Sequence, residues 1–297
     1  MYRHAVVAGV GALGIEVAKN LGLLGCECVL LVDPDVLEPK NLGRSILLQE
    51  AASVGQAKVS QAVERFQRLL PQTQWTAAAV EIADLDPDIF ARTDIVFSCV
   101  DTDLARTEIA ALAVRYKVAV IDGGLGGTST RVGRVSWFPP TESAACFACL
   151  LSGRRRAELL SMWESHIHSC RAQTHENQGG WSSSPTMASL VAALQIELAR
   201  VEKTRETASY TVRIDLDRSP LSERVEHRQS KNCPFHQVLP GILFPICTLA
   251  ECAACGRQFQ PHRRIAWVRR HGTCPCCGSR DLIVCQRVHD AEFESVS

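Results

Sequence analysis

The sequence lacks an excess of charge of either sign. Its 297 residues carry 32 Lys and Arg against 32 Asp and Glu, a formal net charge of +0. That removes the bulk attraction by which basic proteins bind nucleic acid or anionic membranes, so neither is an expected partner. Long apolar runs are also missing. No stretch approaches the roughly 20 residues needed to cross a bilayer. No leader pattern precedes "HAVVAGVGALG", which begins at the fourth residue. The expectation is a soluble, cytoplasmic protein. Repeats and low-complexity tracts are absent too. Apolar residues make up 46% and charged residues 22%, the balance of a globular chain with a proper core.

Cysteine is what the sequence has in abundance, with fourteen. Six stand in C-x-x-C pairs, a spacing that suggests metal thiolates in a reducing compartment and not a disulfide framework. Cys26, Cys28 and Cys99 lie in apolar, strand-like runs and read as buried packing residues.

Apolar patterning predicts strands at 4–9, 28–33, 93–101 and 118–124, and helices at 12–25 and 55–70 and after residue 102. Alternating elements of this kind predict an α/β fold. The expected core is a Rossmann-like, mostly parallel sheet with helices on both faces and ligands at the carboxyl ends of the strands. Past Pro139-Pro140 the texture changes. Residues 150–185 read as a long crossing segment, 186–201 as a strong helix and 211–217 as a strand. The expected domains are 1–244 and a cysteine-rich zinc-ribbon module with its tail at 245–297.

Gly9, Gly11 and Gly14 follow the first strand. Gly9 suits a tight turn, Gly11 a close approach of backbone to phosphate, and Gly14 close packing of helix on strand. Asp33 closes the second strand, where a carboxylate can accept from ribose hydroxyls. This much is compatible with NAD or with ATP. The next stretches favour ATP: Asn41 and Arg44 in "DPDVLEPKNLGRS", Lys58 in "VGQAKV", and Asp101 at a strand end in "SCVDTDLAR". Nucleotidyl transfer needs cations on the phosphates and a carboxylate for Mg²⁺, whereas hydride transfer does not.

"GVGALG", "VDPDVLEPKNLGRS", "VGQAKV", "SCVDTDLAR" and "CFACL", in this order, resemble the ThiF/MoeB/HesA superfamily, which includes the ubiquitin-activating enzymes. The resemblance covers roughly residues 5–240. It implies binding of ATP and Mg²⁺ and adenylation of the C-terminal glycine of a ubiquitin-like or sulfur-carrier protein. It implies Asp33 as the ribose ligand, Asn41, Arg44 and Lys58 on the triphosphate, and Asp101 as the aspartate linked to magnesium. Cys170 lies in the segment where thioester-forming members keep their working cysteine, which implies that it accepts the acyl group from the adenylate. Two departures stand out. Ser45 occupies a position where the family usually has glutamine. The chain also enters its first strand within three residues, where the family carries a helix whose arginine reaches a neighbouring subunit. A homodimer or heterodimer and a conjugating-enzyme partner are still expected. The short N-terminus, together with the added cysteine-rich module at 245–297, would fit a bacterial ubiquitin-like conjugation system, with antiviral defence as one setting.

The same resemblance implies a structural zinc site from Cys146, Cys149, Cys233 and His236, a Cys3His set. Cys252, Cys255, Cys274 and Cys277 form a second set from spacing alone. Their pairs are 18 residues apart and each ends in glycine. The expected cofactors are therefore ATP, Mg²⁺ and two structural Zn²⁺ ions. The alternative functions are a sulfur-carrier adenylyltransferase of thiamin or molybdopterin type, adenylation of a small substrate or RNA base, an NAD-dependent oxidoreductase, and a non-enzymatic scaffold.

Overall fold

The computed structural model describes residues 2–42, 53–86, 88–126, 129–159, 184–203, 208–236, 246–261, 263–264, 268 and 272–286. Arg44, Ser45, Trp267 and the whole neighbourhood of Cys170 lie outside the described residues. The chain divides into two compact units. One comprises Met1–Arg156 with His175–Cys233, the other Ala157–Thr174 with Pro234–Ser297.

The first unit is built on an eight-stranded sheet in the order β3-β2-β1-β4-β5-β6-β7-β8. β1 (His4–Ala8), β2 (Cys28–Val32), β3 (Gln74–Ala78), β4 (Ile95–Ser98) and β5 (Ala119–Leu125) run parallel. β6 (Val132–Phe138), β7 (Tyr210–Asp215) and β8 (Ser222–Glu226) continue it antiparallel. Sequence patterning captures β1, β2, β4 and β5 because these strands are mostly apolar. It misses β3, β6 and β8. In β3 only Trp75 is buried, β6 carries Gly133 and Arg134, and β8 is exposed along its whole length.

The helices are α1 (Ala12–Leu23), α2 (Lys58–Leu69), the short α3 (Asp88–Ala91), α4 (Asp103–Tyr116) and α5 (Pro185–Glu202). Local chemistry fixes their ends. Thr102 caps α4 by accepting from the Ala105 amide at 3.2 Å, and Lys117 closes it in the left-handed conformation. Ser184 caps α5, with Pro185 at its first position. α5 packs on α1 and on β5 and β6, where Gly133 makes room for Val191 and Met187. The core runs through Val7, Leu31, Ile95, Phe97, Ile121, Val135, Trp137 and Tyr210. Phe66 of α2 stacks on Trp75 of β3 at 4.4 Å between centroids. Cys26 is buried as expected, but Cys28 and Cys99 are only partly covered.

The second unit has a four-stranded sheet, with β9 (Ile246–Cys252) paired antiparallel to β10 (Gln258–Phe259), β11 (Arg263–Arg264) and β12 (Leu282–Gln286). Its described apolar cluster is small: Ala250 and Val268, with Phe259, Leu282 and Val284 against them.

Candidate functional site

The turn between β1 and α1 sits at the carboxyl edge of the sheet, and its three glycines have different reasons to be glycine. Gly9 has φ +89°, and a Cβ there would lie 2.6 Å from the Cys99 carbonyl oxygen. A Cβ on Gly14 would fall 1.8 Å from the Gly9 carbonyl oxygen. Gly11 has nothing within 4 Å of its Cβ position. Gly9 and Gly14 therefore serve packing, while Gly11 faces open space at the start of α1. The first turn of α1 holds no acidic residue, so its amides are suited to an anion. Gly14→Ala should destabilise the fold by about 3 kcal/mol or more, because backbone must move to admit the methyl group. Gly11→Ala should leave stability within about 0.5 kcal/mol. Denaturant unfolding of the two variants checks the contrast.

Asp33 directly follows β2 and is 6% exposed. Its Oδ2 accepts from the Val10 amide at 2.6 Å and its Oδ1 from the Asp35 amide at 2.9 Å. Burial pushes this carboxyl above the usual carboxylate range, with the Lys58 charge and those amides opposing the shift. Asp33 thus ties the glycine turn to the end of β2. The loop after it pairs with the segment leading to α2, through Leu37 N–H to Gln56 and Lys58 N–H to Asp35. That pairing sets Lys58, the first residue of α2, beside Asp35, with Nζ donating to Oδ2 at 2.6 Å. Lys58 is buried, whereas the Asp35 side chain is 63% exposed. Asn41 makes a local cap, its Oδ1 accepting from the Glu38 amide at 2.9 Å. Asp101 is exposed on the loop from β4 to α4.

Sequence reasoning missed a buried polar network behind that loop. Asp122 of β5 is 1% exposed. Its Oδ1 accepts from Ser98 Oγ at 2.7 Å and from Arg106 Nε at 2.9 Å. Arg106 of α4 also donates to the Val100 carbonyl at 2.5 Å. Arg134 of β6 pairs with the Asp122 Oδ2 at 2.9 Å. Gln195 of α5, fully buried, donates to the Ile121 carbonyl at 3.1 Å. The available signal was a charge inside an apolar run: Asp122 in "VAVIDGG" and Arg106 in an alanine-rich helix. Arg106 holds the residue before Asp101, so the network sets the shape of that loop.

Among the described residues, two groups of side chains fit a metal. In the first, Cys146 Sγ lies 3.8 Å from Cys149 Sγ and 3.7 Å from Cys233 Sγ. Four ligands at about 2.3 Å in a tetrahedron place sulfurs about 3.8 Å apart, the separation zinc requires. His236, three residues past Cys233, completes the set, with all ligand atoms within 4.8 Å of one another. Its Nε2 is buried without a hydrogen-bond partner, as a ligating nitrogen would be. In the second group, Cys252 lies 3.6 Å from Cys277 and Cys255 lies 3.6 Å from Cys274. Gly256 and Gly278 have φ of +69° and +73° and turn their amides back to the Cys252 and Cys274 carbonyls. The amides of Cys277 and Cys276 lower the Cys274 thiol to about 7. Cys276 is exposed and outside the set.

A parallel sheet with a glycine turn at β1–α1 and charged groups at its carboxyl edge defines a nucleotide-binding α/β protein. The chain belongs to the ThiF family, whose model matches residues 2–235. It is 32% identical over 110 residues to the adenylyltransferase and sulfurtransferase uba4 of Aspergillus niger, covering 37% of this chain and 23% of that protein. It is 28% identical over 146 residues to SUMO-activating enzyme subunit 2 of Dictyostelium discoideum, covering 48% and 21%. It is 30% identical over 118 residues to the NEDD8-activating enzyme E1 catalytic subunit of Caenorhabditis elegans, covering 40% and 27%. The matched stretches span 21–35% of such relatives' own lengths. Among solved structures, E. coli MccB with ATP superposes with a TM-score of 0.57 at 16% identity, over 78% of this chain and 66% of that one. At that identity the likeness is one of fold.

Proposed function

We propose that the protein uses ATP to adenylate the C-terminal carboxylate of a ubiquitin-like or sulfur-carrier protein. The observation that carries this is the convergence of the open Gly11 turn, the Lys58–Asp35 pair and the Asp101 loop on one sheet edge, in a chain of the ThiF family. Relatives named as adenylyltransferases and as modifier-activating enzymes support it. The first turn of α1 receives phosphate, Lys58 neutralises phosphate charge, and Asp33 keeps the turn in shape beside the ribose. Arg44 is the second cation of this reading. Asp101 is the carboxylate that would hold Mg²⁺, and the ion would supply charge neutralisation of the phosphates.

The substrate carboxylate oxygen forms a bond to the α-phosphorus. The bond from that phosphorus to the bridging oxygen breaks, and pyrophosphate leaves with the electron pair. No proton need move. In the finer reading, the Cys170 thiolate then attacks the acyl carbon, AMP departs and a thioester remains. Exchange of labelled pyrophosphate into ATP, tested with glycine-terminated candidate proteins, checks the first step. Exchange dependent on one of them is the expected result. NAD binding with no exchange for any candidate would overturn the proposal. A thiol-sensitive conjugate lost in Cys170→Ala marks the activating-enzyme branch. Free acyl adenylate or a persulfide marks the sulfur-carrier branch.

A further inference from the structure

Strand alternation divides the antiparallel half of the sheet into two unlike faces. Gly123 and Gly133 point toward α5, where Gln195, Val191 and Met187 fill the space that side chains would need. Their neighbours Asp122, Gly124 and Arg134 therefore point to the opposite face. Arg213 joins them there, because it sits directly across from Arg134 in the β6–β7 ladder. Like charges directly opposite on one face repel, so an arginine pair in this register has a cost that an anion between them would remove.

The surrounding charges do not supply that anion. Asp122 is shared between Arg106 and Arg134, one carboxylate for two guanidiniums. Asp103 lies 3.9 Å from Arg106 and is also paired with Arg155 at 3.1 Å. Arg213 is exposed, and it has no ion-pair partner among the described residues. Glu223 stands opposite it on β8, yet no ion pair between them closes within 4 Å. Arg131, the remaining described cation on β6 or the turn before it, is matched with Asp217.

Arg134 is also placed with care. Its Nε lies 2.8 Å from where a Cβ on Gly124 would be, so the glycine lets the guanidinium lie across β5. Its side chain is 31% exposed, and Nη1 donates to Ser136 Oγ at 3.3 Å. Through Asp122 and Arg106 it is connected to the Val100 carbonyl, next to Asp101. A planar fork on each of two adjacent strands matches the flat, two-oxygen geometry of a carboxylate.

We propose that Arg134 and Arg213 receive the free α-carboxylate of the acceptor's extended C-terminus and hold it beside the Asp101 loop. This rests on the adenylation reading and names the part of the site that recognises the acceptor. The test uses two fluorescein-labelled hexapeptides ending in Gly-Gly, one a free acid and one a C-terminal amide. Their binding to the full chain is followed by fluorescence anisotropy. The wild type should bind the acid about tenfold tighter than the amide, the scale of a charge-assisted contact. Arg213→Ala and Arg134→Gln should each bring the ratio below about twofold, and Arg213→Lys should keep part of it. Arg213 is exposed, so its replacement leaves the fold intact even if the Arg134 variant does not fold.

An acid-to-amide ratio below twofold in the wild type overturns the proposal, as does no measurable binding of the acid at millimolar peptide. A ratio that survives Arg213→Ala overturns it too. So does loss of ATP affinity with the ratio unchanged, which would assign the pair to the nucleotide. Anisotropy requires no turnover, so this result is separable from the pyrophosphate exchange that tests the adenylation itself.

Discussion

Replacing Lys58 with alanine is expected to lower pyrophosphate exchange by about 10²–10³-fold, the usual loss when one preorganised charge is taken from a phosphoryl-transfer site. Stability should change little. Lys58 is buried, but the partner it leaves behind, Asp35, is 63% exposed and stays hydrated. An ion pair of that kind contributes about 1 kcal/mol or less. Denaturant unfolding in parallel with the exchange assay separates the two outcomes. A variant that retains more than a tenth of wild-type exchange would remove Lys58 from the phosphates. One that loses exchange only because it unfolds would make the residue structural. The backbone pairing of residues 35–37 with 55–58 survives the substitution, which makes the assay a fair reading of the charge.

The second large effect concerns metal. Cys277→Ser should halve the zinc content of the purified chain from two ions to one, measured by mass spectrometry. It should also abolish hydrogen-exchange protection at Gly256 and Gly278. Amides of Val6, Phe97 and Ile121 in the large sheet should keep theirs. The reason is a comparison of magnitudes. Zinc binding to a small thiolate site is worth on the order of 10 kcal/mol. The described apolar cluster of the second unit, by contrast, consists of two buried residues with three others against them. Unchanged protection in the variant would mean that β9 and its neighbours fold without metal.

Much of the first unit was legible in its sequence, and for one reason. Strands buried on both faces are apolar at nearly every position, so β1, β2, β4 and β5 announce themselves, and the glycines between β1 and α1 add punctuation. The helix at Pro185–Glu202 shows the same clarity, one residue longer at each end than the expected 186–201. The edge strands were not legible, because one exposed face dilutes the pattern. β8 reads Ser-Glu-Arg-Val-Glu and buries nothing. At the site, Asp33 follows β2 and Lys58 opens α2, within the strand and helix that the apolar patterning predicts. Their partners could not be read, since a hydrogen bond from Val10 to Asp33 depends on the path of a turn. Asp122, Arg106 and Arg134 come from three elements, and each residue alone looks like an oddity. The set at Cys252, Cys255, Cys274 and Cys277 could be read from spacing, a short-range property, whereas joining Cys146 and Cys149 to Cys233 and His236 across the chain rested on the family resemblance.

The thiol cluster at Cys146 and Cys233 joins points 87 residues apart in the chain. Topologically it makes that excursion a closed ring, knotted at the thiols, that carries α5, β7 and β8 of the sheet unit within it. Closing a ring of this length costs about 4 kcal/mol of chain entropy once, at the knot. Residues added to a connection within the ring, such as that between β7 and β8, would raise that cost only logarithmically, so the connection could lengthen while β6, β7 and β8 remain side by side.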